Sequence, residues 1–131
     1  MDNTFESESE AVDSLSQSKN FDMYQFSEMA LLMEQMYVDN QRLRDKIIKG
    51  DSLGSFPEHF EKIHSSVMTD DSDMDDFFKE HAQEFLKAQS LIYENPNEAK
   101  KYFNQAVQAC VTCHEVKCGG PIPKIKKLYI P

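Results

Sequence analysis

Three side chains near the end of the chain are spaced for chemistry. Cys110 and Cys113 are three residues apart, and His114 lies four beyond Cys110. On a helix these spacings place all three on neighbouring parts of one face. Two thiols so placed can add to the two vinyl groups of a haem as thioethers, and the adjacent imidazole can bind the iron from the same side. Cys-x-x-Cys-His is the attachment signature with that geometry behind it. A second reading makes Cys110, Cys113, His114 and Cys118 four zinc ligands in a small zinc-stabilised adaptor. It asks adjacent Cys113 and His114 to reach one tetrahedral site, whereas structural zinc sites usually draw a second pair from elsewhere in the chain. A thioredoxin-like thiol pair calls for a preceding strand, and none is read here. A chance cluster is the remaining reading.

The motif needs a frame, and apolar periodicity supplies one. Met29, Met33, Met36, Asn40, Leu43 and Ile47 recur at steps of four and three from about Phe21 onward, a single stripe on a first helix that Gly50 stops. Ser55 and Glu58 form a capping box around Pro57. Phe56, Phe60, Ile63 and Val67 then make the stripe of a second helix. A third begins near Asp73 with Met74, Phe78, His81, Phe85, Ala88 and Ile92 on one face. Asn95, Pro96 and Glu98 signal the start of a fourth, whose stripe is Ala99, Phe103, Ala106, Cys110 and Cys113. Four amphipathic helices with short links predict an all-α fold, an antiparallel four-helix bundle with the motif facing its core.

Three segments follow from this pattern. Residues 1–20 are rich in Ser and acid and poor in apolar side chains, and they read as a disordered arm or tether. Residues 21–118 form the bundle. Residues 119–131 are Pro- and Lys-rich and read as an extended basic tail held on the bundle by Ile122, Ile125, Leu128 and Tyr129.

Composition narrows the function classes. At 131 residues the chain makes one domain. A net charge of −9 repels nucleic acid rather than attracting it. Three cysteines, an odd number, argue against a disulfide framework. No apolar run is long enough to span a membrane, and Met1 is followed by acidic and polar residues rather than a signal peptide. Against the acidic body, Lys117, Lys124, Lys126 and Lys127 make the end of the chain basic, a placement suited to orienting an acidic partner.

Four helices with Cys-x-x-Cys-His late in the last one resemble the cytochrome c prime family, the class II c-type cytochromes, over roughly residues 21–118. The resemblance implies one covalent haem c attached through Cys110 and Cys113, with His114 as the proximal iron ligand. Low-spin members supply a Met from the first helix, about four turns before its closing glycine. The segment from Met36 to Gly50 resembles that arrangement, so Met36 is the expected sixth ligand and Met33 the second choice; His81 is the rival. His59 and His64 lie off the second stripe and read as surface residues. The expected activity is electron transfer to a redox partner protein, without catalysis. High-spin relatives with an open sixth position bind small gases, and gas binding or sensing is the alternative. Haem c is attached outside the bacterial cytoplasm, so the implied location is periplasmic, with a membrane tether through a lost signal or lipid anchor. Class II proteins often form homodimers, an association the resemblance allows here. One departure stands out. Class II members usually follow the haem His with an aromatic and a basic residue, whereas this chain has Glu115, Val116, Lys117 and Cys118. Cys118 reads as a free or buried thiol.

Overall fold

The computed structural model describes residues 26–131; the arm expected over residues 1–20 lies outside them. No strand occurs among the described residues. Three long helices, α1 (Glu28–Lys49), α2 (Asp76–Glu94) and α3 (Ala99–Lys117), are followed by a short α4 (Ile122–Lys126). Two 3-10 segments, Glu58–His64 and Asp71–Asp73, lie between α1 and α2, and a third, Pro96–Glu98, leads into α3.

Helix α1 has a defined start and stop. The Ser27 hydroxyl accepts the Ala30 N–H at 3.1 Å, and the Met29 N–H donates to the Val67 carbonyl at 3.0 Å, so two otherwise orphaned donors of the first turn are satisfied. At the other end Gly50 takes a left-handed conformation (φ 75°). There the Gly50 and Asp51 N–H groups return to the Ile47 and Lys46 carbonyls. A residue without Cβ takes that conformation freely. The expected stripe faces inward: Met29, Met36, Asn40 and Leu43 are buried, and Met33 and Ile47 half-buried.

Two expectations are corrected. The second helix is not an α-helix but a seven-residue 3-10 segment that begins after Pro57, and no side chain caps it. Phe60 and Ile63, three apart, still bury together because a 3-10 turn brings that spacing onto one face. Val67 does not continue the stripe and is 58% exposed. Its backbone is diverted to the start of α1, its carbonyl accepting from Met29 and its N–H donating to Glu28 Oε1 at 2.8 Å. The C-terminal tail is not simply extended either. Pro121 and Pro123 do not prevent α4, since proline fits the first turn of a helix, where its missing donor is not needed.

The chain path follows from a few contacts. Lys117, at the end of α3, bonds to Asp75, which caps the start of α2, while Pro96–Glu98 joins their other ends. Helices α2 and α3 are therefore antiparallel, and they make the most extensive helix pair. Asn40 in α1 meets Gln89 late in α2 at 3.1 Å, and Met29 shares a cavity wall with Phe78 early in α2. Helix α1 thus runs with α2 and against α3, and residues 50–75 make the return leg.

The core divides into two clusters. One gathers Met29, Met36, Phe60, Phe78 and Phe85 with their neighbours; the other gathers Leu43, Ile92, Phe103, Val107, Val111 and the tail residues Ile125, Leu128 and Ile130. Cys110 packs against both.

Candidate functional site

The last turns of α3 carry the motif. Its upstream stripe, Ala99, Phe103 and Ala106, is buried and fixes the rotation of the helix, so Cys110 and Cys113 follow onto the same inward face. Three adjoining cavities, of about 90, 30 and 310 Å³, border the motif, and Met33 and His114 line all three. Met36 and Cys110 line the first two, and Cys113 the last two. The structure thus brings Cys110, Cys113, His114, Met33 and Met36 together from two helices. His81 lines only the smallest cavity; its Nδ1–H donates to the Phe77 carbonyl at 2.8 Å and its ring stacks on Phe77. His59 faces α1 instead, with Nε2 2.7 Å from Asp39, and His64 is exposed.

The His114 ring is held by its own helix end. Its Nδ1 lies 2.8 Å from the Cys118 carbonyl oxygen. A carbonyl only accepts, so Nδ1 carries a proton, and in the neutral ring Nε2 offers its lone pair. A metal-binding imidazole is oriented in this way, by a hydrogen bond from its other nitrogen.

Burial pushes the Cys110 thiol up to about 12, with the neighbouring Cys113 adding to the effect; burial also raises Cys113, against the pull of the Lys117 charge. Both thiols are protonated at neutral pH. A redox-active or nucleophilic thiol is instead one whose pKa is lowered, so these directions run against the thioredoxin-like reading. The zinc reading loses its geometry, because among the described residues no three His, Cys, Asp or Glu side chains converge on a metal-sized position. Cys118 is exposed and free, not buried.

Charge clamps the end of α3. Lys117, only 16% exposed, pairs with Asp75 and, at 3.8 Å, with Asp73. The Lys117 ammonium and then the Phe78 N–H hold the Asp75 carboxyl below the usual carboxylate range, and Asp75 in turn raises Lys117. The basic residue that departs from the class II pattern is therefore engaged in tying α3 to α2.

Sequence reasoning packed the tail on the bundle through Ile125 and Leu128, both buried, but missed that it borders the motif. Pro121, Lys124, Ile125 and Leu128 close one side of the 90 Å³ cavity. Arg44 grips this segment by donating to the Leu128 and Tyr129 carbonyls at 3.0 and 3.2 Å, and Asn104 bonds both the N–H and the carbonyl of Ile130. The Ile-x-x-Leu-x-Ile spacing from Ile125 to Ile130 was the available signal. Lys124 is not a free docking charge: it binds Glu34 at 3.1 Å and lies 4.3 Å from the centre of the Tyr37 ring. Lys126 and Lys127 are exposed.

Among the described residues no helix is long and apolar enough to cross a membrane. No family model, curated protein or solved structure matches the chain.

Proposed function

We propose that the protein is a monohaem c-type cytochrome that carries single electrons. Cys110 and Cys113 would hold the haem as thioethers, His114 Nε2 would bind the iron, and Met36, or Met33 beside it, would supply the second protein ligand. The observation that carries this reading is the convergence of two thiols, an imidazole with a free Nε2 and two thioethers on adjoining cavities.

The residue types around the motif suit the group. Adding each S–H across one vinyl group gives a thioether with no leaving group, and two cysteines match the two vinyls. The surrounding walls are apolar, with Phe85, Phe78, Ile125 and Leu128 among them. The 30 and 90 Å³ spaces are smaller than ordinary ligand pockets of roughly 300–1,000 Å³. Met33 stands where the three spaces meet, and an unbranched thioether side chain shifts easily. Admitting a haem between α1 and α3 would require Met33 and neighbouring side chains to move aside. When bound, the haem supplies a one-electron couple whose potential rises with Met/His ligation and with burial. The chain orients His114 through Cys118, encloses the site with the tail and α1, and leaves Lys126 and Lys127 open towards an acidic redox partner. In this reading the helices form a four-helix bundle whose second member is the 3-10 segment, and attachment takes place on the periplasmic side of a bacterial membrane.

The visible spectrum of the purified protein in both redox states tests the proposal. A low-spin ferrous spectrum that resists carbon monoxide is expected. Met36→Ala should turn it high-spin, and if only Met33→Ala does so, Met33 is the ligand. A high-spin wild-type spectrum that shifts readily with carbon monoxide would move the function to gas binding. A protein without haem absorption after expression with the attachment machinery would refute both.

A further inference from the structure

A polar pair lies buried where α1 crosses α2. Asn40 is 6% exposed and Gln89 fully buried, within an otherwise apolar core. Gln89 Nε2 donates to Asn40 Oδ1 at 3.1 Å and, more weakly, to the Tyr93 hydroxyl at 3.5 Å. Gln89 Oε1 is buried without a partner. An unpaired buried acceptor is costly, so packing alone does not account for this pair.

The open end of the pair indicates its use. Asn40 also lines the 90 Å³ cavity shared by Met33, Met36, Cys110 and His114. Its oxygen is held by Gln89, so what it has left to offer is the Nδ2 donor, which no described residue engages. Turning both amides over would pair Gln89 Oε1 but leave Gln89 Nε2 unpaired in its place, and it would leave Asn40 offering a carbonyl instead of a donor. The arrangement seen leaves Asn40 Nδ2 as the pair's unengaged donor beside the cavity, where an acceptor would bond it.

We propose that Asn40 would donate a hydrogen bond to the iron's second axial group, the Met or bound gas that joins His114 there, and that Gln89 is the residue that positions it. This rests on the haem reading given above. The chemistry required of the acceptor is a lone pair: the thioether sulfur of a ligating Met, or the oxygen of a bound diatomic. Met36 lies one helical turn before Asn40 on the same face, which makes its sulfur a near neighbour.

The test uses the full-length, haem-loaded protein with Asn40→Leu, Gln89→Leu and the double variant. Asn40→Leu alone leaves Gln89 wholly unpaired and risks misfolding. The double variant replaces both amides with apolar groups, a change that is nearly neutral for folding. If Met ligates, imidazole should displace it roughly fivefold more readily from the ferric double variant. If the site is open, carbon monoxide should leave the ferrous double variant roughly fivefold faster. Either change is the size of one hydrogen bond. Gln89→Leu should act in the same direction and more weakly. Its ¹⁵N spectrum should show the Asn40 side-chain amide losing the downfield shift that it has in the loaded wild type, a signature that a packing defect would not produce. A folded, haem-bearing double variant with unchanged displacement and dissociation would overturn this proposal alone. A wild type that takes up no haem would overturn it together with the reading beneath it.

Discussion

The two core clusters are built from different side chains, and the difference separates scaffold from site. The cluster of Leu43, Ile92, Phe103, Val107 and Val111 is mostly branched aliphatic and contains no methionine; Phe103 and Ile92 are fully buried, and its tail members Ile125 and Leu128 wall one side of the 90 Å³ cavity. The tail seals it with three buried side chains and backbone hydrogen bonds to Arg44 and Asn104. The cluster of Met29, Met36, Phe60, Phe78 and Phe85 is rich in methionine, is edged by Met33, Met68 and Met74, and borders all three cavities at the motif. Branched residues pack in a few rotamers, while methionine fills irregular space and yields it again. One half holds the helices in register, and the other keeps room between them. Cys110 sits on the seam.

The largest expected contrast is chemical. The Cys110 thiol, raised by its enclosure to about 12, should alkylate at pH 8 roughly three orders of magnitude more slowly than an unperturbed thiol in the haem-free protein. Exposed Cys118 should label first. Mass mapping of iodoacetamide adducts over time reads the order, and early labelling of Cys110 would mean that the seam is open.

Stability should divide the same way. Phe103→Ala should cost about 3–5 kcal/mol in urea unfolding of the haem-free chain, the usual range for a truncated core aromatic. Met33→Leu, nearly volume-conserving, should cost less than about 1.5 kcal/mol. Equal losses would erase the distinction between the two halves. Arg44→Ala should cost about 1–3 kcal/mol, because two tail carbonyls lose a charged donor. Amide exchange over residues 125–130 should rise while that of α2 holds.

The smallest effect lies at the rim of the site. Asp75 is depressed in the folded state, so its contribution is present above the unfolded carboxylate pKa and is lost as pH falls through the folded value. Lys117 is raised, so its contribution is present below the unfolded lysine pKa and is lost as pH rises through the folded one. The clamp therefore stabilises the chain between these limits and fades at both. Asp75→Asn should flatten the acid limb of a plot of melting temperature against pH; an unchanged limb would assign the acid sensitivity to other carboxylates.

Much of this was legible in the sequence because periodicity reports burial directly. The stripes of α1, α2 and α3 face inward as read, from Met29 to Leu43, Phe78 to Ile92 and Ala99 to Ala106. Gly50 ends α1 as its lack of a Cβ suggested. The second helix misled for a physical reason. Phe60 and Ile63 suit an α stripe and a 3-10 turn equally, and the choice was made by long-range bonds from Val67 to the start of α1, which local spacing cannot show. The tail misled because its prolines were read as breakers, whereas Pro121 and Pro123 lie at the start of α4. At the site, the cysteines and His114 were visible as a motif. Asn40 was visible only as a polar residue on an apolar stripe, and its partner Gln89 gave no signal until the fold brought them together.

The most direct test of the central claim is the intact mass of the full-length protein after expression alongside haem c attachment machinery, measured under denaturing conditions. The wild type should gain the mass of one haem, retained in denaturant and absent from Cys110→Ala/Cys113→Ala. An unmodified wild-type mass with all three thiols free would contradict it.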